Sequence, residues 1–136
     1  MKAGNRQVGA RLRVVLEPEI AIGPGKADIL EGIKETGSIA AAGRRMRMSY
    51  KRAWLLVETM NACFKAPLVE TRRGGRAHGG ASLTPTGEMV LACYRRMETL
   101  AGRAIASEMG KLREVLHDSP NETQRGGDLR RTGAAR

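Results

Sequence analysis

Ser38-Ile39-Ala40-Ala41-Ala42-Gly43-Arg44-Arg45-Met46-Arg47-Met48-Ser49-Tyr50-Lys51-Arg52-Ala53-Trp54 is the stretch on which the fold turns. Ser38 is a side chain suited to capping a helix N-terminus, and Ile39, Ala42 and Met46 follow it at the spacing of one helical face. Ala40, Ala41 and Gly43 keep that short helix slender, so a neighbour can pack closely. Arg47-Met48 reads as a turn, and Ser49 supplies a second cap. From there Tyr50, Trp54, Val57, Met60 and Phe64 keep the helical period, which predicts a longer helix over Ser49–Lys65 with that stripe inward. Lys51, Arg52 and Glu58 lie off the stripe, and Pro67 bounds the helix. Two capped helices joined by a tight turn make a helix-turn-helix.

Upstream, Arg11 to Ile22 opens with a β-branched run and reaches Pro18, which predicts a strand over Leu12–Leu16 leaving at an edge. Gly23-Pro24-Gly25 is a turn, with Pro24 placed to open a helix. That helix presents Ile29, Leu30 and Ile33 on one face beside Asp28, Glu31, Lys34 and Glu35, and Gly37 stops it. Downstream, Leu68–Thr71 reads as a strand, Arg72–Ala81 as a Gly-rich basic loop, and Ser82-Leu83 as the return of a short hairpin. Thr84 caps a helix with Pro85 at its first position, and its apolar positions Val90, Tyr94, Met97, Ala101 and Ala104 run on toward Leu112 and Leu116. One small core does not need a helix that long, so a second copy of the chain is expected against it.

The expected organisation is an N-terminal arm over residues 1–10, one domain over residues 11–118, and a disordered basic tail over residues 119–136, where large apolar residues almost vanish. The expected fold is mainly α with a small β-hairpin wing: a winged helix-turn-helix with a long C-terminal dimerisation helix.

Charge narrows the partner. Among 136 residues, 24 Lys and Arg stand against 14 Asp and Glu, a net charge of +10 that favours a polyanion through counterion release. Aromatic residues make up only 3% of the chain, too few for stacking platforms under single strands, so duplex DNA fits better. Cys63 and Cys93 lie far apart without metal-ligand spacing and read as buried thiols of a reducing, cytoplasmic compartment. No run approaches a membrane span, so no membrane partner is expected.

In a helix-turn-helix the first turn of the second helix reaches base edges, which singles out Ser49, Tyr50, Lys51 and Arg52. The ring of Tyr50 is equally suited to the core stripe. Arg44, Arg45 and Arg47 crowd the turn, and Arg72, Arg73, Arg76 and His78 crowd the hairpin, so cations cluster on both sides of the second helix. Gly74, Gly75, Gly79 and Gly80 suit a loop that approaches a sugar-phosphate backbone. Neither Arg72–Arg76 nor Gly23–Lys26 has the strand-loop-helix pattern of a phosphate cradle, and His78, in a loop, and His117, near a helix end, lack the carboxylate and Ser/Cys arrangement that would activate a nucleophile. The expectation is a non-enzymatic protein with no cofactor and no metal.

The chain from about Leu12 to Leu116 resembles the N-terminal DNA-binding domain of molybdate-responsive transcriptional regulators of the ModE type. The resemblance is carried by Gly37-Ser38-Ile39, Ser49-Tyr50-Lys51-Arg52-Ala53-Trp54, Glu58, Met60-Asn61, Leu68-Val69-Glu70-Thr71 with its Gly-rich loop, and Leu83-Thr84 followed by Gly87. It implies a winged helix-turn-helix, a homodimer that includes the last helix, and a palindromic operator. Full-length members continue into a molybdate-binding pair of β-barrel modules, whereas this sequence stops after the long helix and a basic tail. Molybdate sensing is therefore not carried over, and a full-length regulator is a candidate partner. A non-specific binder of chromosome or RNA and an oxyanion sensor are the alternative readings.

Overall fold

Pro24 and Gly37 bracket the first helix for opposite backbone reasons. The computed structural model describes residues 9–72 and 80–117. Helix α1 (Pro24–Thr36) begins with proline, whose missing N–H costs nothing at a helix start, and ends where Gly37 turns left-handed at φ 74° and donates its N–H to the Ile33 carbonyl. Its Ala27, Ile29, Leu30 and Ile33 are fully buried, each larger side chain contributing about 1.5–3 kcal/mol of apolar burial.

Before α1 the structure departs from the single expected strand over Leu12–Leu16. Two strands, β1 (Val14–Glu17) and β2 (Ile20–Ile22), pair antiparallel with Val14 opposite Ile22 and Val15 opposite Ala21. Pro18 halts the first strand, and Glu19 takes the left-handed conformation at φ 71°, a place where glycine or asparagine is usual. The turn thus lacks the residues that normally announce it.

Helices α2 (Ile39–Arg45) and α3 (Tyr50–Cys63) follow. The expected caps are in place: Ser38 Oγ accepts from Ala41 N at 3.0 Å and Ser49 Oγ from Arg52 N at 3.1 Å. Helix α3 stops short of Lys65 because Phe64 is already extended. Strands β3 (Val69–Arg72) and β4 (Gly80–Leu83) form the second antiparallel hairpin, and its ladder reaches Arg72 opposite Gly80, further than the expected strands extended.

Helix α4 (Pro85–Glu114) is capped by the buried Thr84, whose Oγ1 accepts from Gly87 N at 2.9 Å while donating to the Pro67 carbonyl at 2.7 Å. A Cβ on Gly87 would run into the Leu68 carbonyl. The chain divides into two compact units, and the boundary falls inside α4, between Gly102 and Arg103. Among the described residues no helix is long and apolar enough to cross a membrane.

Within the first unit α4 is held by three groups. Leu91 and Tyr94 enter the core, and the Tyr94 hydroxyl donates to the Leu12 carbonyl at 2.7 Å. Arg95 reaches Asp28 at 3.0 Å, Glu31 at 2.7 Å and Glu98 at 3.0 Å. Burial works against its charge, but the hydrogen bonds to Asp28, Glu31 and Glu98 outweigh it and hold the guanidinium pKa above its usual value.

Candidate nucleic-acid interface

The distance between α1, α2 and α3 is set by small residues. A Cβ on Gly32 would stand 2.8 Å from Ala42 Cβ, and one on Gly43 would stand 2.9 Å from Ala53 Cβ. Helix α2 therefore rests almost backbone to backbone on both neighbours. Its exit is a Schellman turn: Met48 N donates to Gly43 O at 2.9 Å and Arg47 N to Arg44 O at 3.0 Å, with Arg47 left-handed at φ 58°. Glycine is the usual occupant of that position; here it carries a cation.

Close approach changes which face of α3 is inward. The expected stripe of Tyr50, Trp54, Val57, Met60 and Phe64 is rotated: Ala53, Val57 and Met60 are buried, while Tyr50 is 56% and Trp54 36% exposed. Because only a methyl fits opposite Gly43, the core takes Ala53 and the two rings move to the flank. Lys51 and Arg52 lie on the outward side, as read from the sequence, and neither has an ion-pair partner among the described residues. Leu55, 53% exposed, shares that outward side.

The arginines of the turn differ from one another. Arg44 and Arg47 are exposed and unpaired among the described residues, whereas Arg45 donates to Glu35 of α1 at 2.6 Å. That pair spans two helices, so no spacing rule within one helix exposes it.

Two connections place the β3–β4 hairpin beside α3. Asn61 accepts at Oδ1 from Leu68 N at 2.8 Å and Val69 N at 3.1 Å, and its Nδ2 donates to Val69 O at 3.1 Å. Ala81 N donates to Gly37 O at 2.9 Å, tying β4 to the α1–α2 junction. Arg72 is exposed at the end of β3, and its guanidinium lies against Gly80, where any side chain would displace it. Arg73, Arg76 and His78 lie outside the described residues. Asn61 enters the sequence reading only among the residues that carry the resemblance, and its positioning role comes from the structure; its local signal is an amide next to Met60, shortly before Pro67 ends the segment.

The expectation of two buried thiols is corrected: Cys63 is only partly covered and Cys93 is exposed, since it falls on the side of α4 away from Leu91 and Tyr94. Among the described residues no group of three or more His, Cys, Asp and Glu side chains could hold a metal ion.

Residues 26–88 match the family of bacterial regulatory helix-turn-helix proteins of the lysR type. The chain is 41% identical over 118 residues to the molybdenum-pterin-binding protein MopB of Rhodobacter capsulatus, covering 86% of this chain and 42% of that protein. It is 36% identical over 87 residues to the transcriptional regulator ModE of Haemophilus influenzae, covering 64% of this chain and 34% of that protein. The chain thus spans less than half the length of these curated relatives. The crystal structure of a CbnR_DBD–DNA complex superimposes with a TM-score of 0.52 at 26% identity, over 65% of this chain and 95% of that one. The architecture is a winged helix-turn-helix: mostly helical, with a small antiparallel hairpin and a long C-terminal helix.

Proposed function

We propose that this chain, which is similar to lysR-type helix-turn-helix proteins and to ModE and MopB, is a transcriptional regulator that binds double-stranded DNA sequence-specifically. One observation carries the reading: α3, seated on backbone contacts, offers Lys51 and Arg52 outward with no acid of its own paired to them among the described residues. A guanidinium or ammonium in that place can donate to guanine O6 and N7 in the major groove, with Ser49 and Tyr50 at the helix start beside it. Arg44 and Arg47 would hold phosphates from the turn. Arg45 is assigned the lesser share, because Glu35 competes for it. Arg72, with Arg73, Arg76 and His78 of the hairpin loop, would meet the sugar-phosphate backbone or the minor groove.

The protein acts as a homodimer on a palindromic site in the cytoplasm. Support comes from the exposed Leu112, Val115 and Leu116 in the second unit, apolar residues at helical spacing that water covers in a single copy.

Selection from a random duplex pool followed by fluorescence anisotropy tests the proposal. Lys51→Ala or Arg52→Ala is expected to weaken the selected site by roughly 1–3 kcal/mol and relax one base pair. Arg44→Ala is expected to weaken all sequences alike and flatten the salt dependence by about one counterion. A pool from which nothing outcompetes bulk DNA would refute the specific reading and leave a non-specific basic binder.

A further inference from the structure

Leu55 is out of keeping with its surroundings. It follows Lys51 by four residues and Arg52 by three, so the three side chains share one face of α3. That face is turned away from Ala53, Val57 and Met60, and a leucine 53% exposed there is not needed by the core. Leu56, the next residue, already supplies the apolar contact on the inward side. Further along the outward face the exposed Glu58 ends the basic character, which confines the phosphate-compatible segment to the first two turns.

Resting on the DNA-binding reading above, we infer that Leu55 is a specificity-determining residue that packs on the C5-methyl group of a thymine in the major groove. The floor of that groove presents hydrogen-bond donors and acceptors and a single kind of apolar group, the thymine methyl. A branched alkyl side chain flanked by two cations matches a thymine beside a guanine and mismatches cytosine, which offers an N4 amine but no methyl. A helix rises about 1.5 Å per residue, so Leu55 stands roughly 6 Å along the axis from Lys51, a span of one or two base pairs. The thymine therefore lies within two base pairs of the guanine that Lys51 or Arg52 contacts.

The experiment uses the full chain and its selected duplex, with each thymine replaced in turn by deoxyuridine, which removes only the methyl. One replacement, one or two base pairs from the guanine, should weaken binding by the wild type about threefold to fivefold. Leu55→Ala should bind the unmodified duplex correspondingly more weakly, with an unchanged salt slope, and should be indifferent to that same replacement. An identical deoxyuridine profile in wild type and Leu55→Ala overturns the assignment of Leu55 alone. Failure to select any sequence defeats the sequence-specific reading on which the assignment rests. Sedimentation without DNA separates the remaining occupant: a loss of mass in Leu55→Ala would place the residue between two copies of the chain and overturn the thymine contact.

Discussion

Replacing Arg47 by glycine should raise the stability of the protein while lowering its affinity for DNA, two effects that usually travel together. At φ 58° the Cβ of Arg47 is crowded by its own following carbonyl, a cost of about 1–2 kcal/mol for a side chain other than glycine. Glycine removes that crowding but adds freedom to the unfolded chain, which takes back about 0.5–1 kcal/mol. The expected net gain is about 0.5–1 kcal/mol, a rise in Tm of roughly 2–8 °C for a domain of this size. The Schellman bonds from Met48 N and Arg47 N are main-chain bonds and survive the substitution. Arg47→Ala is the control: it retains the crowded Cβ and removes only the charge. Both variants should lose the same phosphate contact, seen as a parallel fall in affinity and a salt slope lower by about 0.9. Thermal denaturation and anisotropy at several salt concentrations read the two quantities separately. Should Arg47→Gly prove no more stable than Arg47→Ala, backbone crowding does not govern this turn. Full affinity in both would remove Arg47 from the interface.

Other substitutions probe the frame. Gly87→Ala places a methyl into the Leu68 carbonyl and is expected to cost about 3 kcal/mol or more, measurable by urea denaturation. Tyr94 is buried, and burial raises its hydroxyl pKa above 10.0, so the folded chain keeps the proton after the unfolded chain has released it. Stability contributed this way is intact below pH 10 and declines as pH climbs past it; Tyr94→Phe should flatten that decline while costing about 1 kcal/mol at neutral pH through the lost bond to Leu12 O. Leu112→Glu should shift the sedimentation equilibrium toward monomer without changing the denaturation of the first unit, since Leu112 belongs to the second.

Much of the architecture was legible because its determinants are local. Ser38, Ser49 and Thr84 announce helix starts by a hydroxyl that can accept a nearby N–H, and all three accept one. Gly37 announces an end by the only backbone that turns left without penalty. What escaped depended on partners distant in sequence or on residues used against type. The β1–β2 turn places Glu19 where glycine is usual, so nothing local marks Ile20–Ile22 as a strand. Periodicity alone puts Val57 and Met60 inward, but choosing between Trp54 and Ala53 as the inward residue requires knowing how near Gly43 comes. The pairing of Arg45 with Glu35, and the three acids around Arg95, belong to the same class of fact, set by the packing of helices and not by their individual sequences.

The glycine–alanine contacts on either side of α2 have an evolutionary consequence. Where helices are separated by side chains, changing one side of a helix disturbs rotamers that reach through to the other. Here Gly32 meets Ala42 and Gly43 meets Ala53 with no intervening layer, so the seat of α3 is fixed by main chain and methyl groups. A side chain added at Gly32 or Gly43 would push the helices apart. Outside it, Lys51, Arg52 and Leu55 can be exchanged almost independently of folding. On the proposed reading of DNA by these side chains, such a scaffold acquires a new target sequence by small surface steps, because the part that must stay constant and the part that must vary share no side chain.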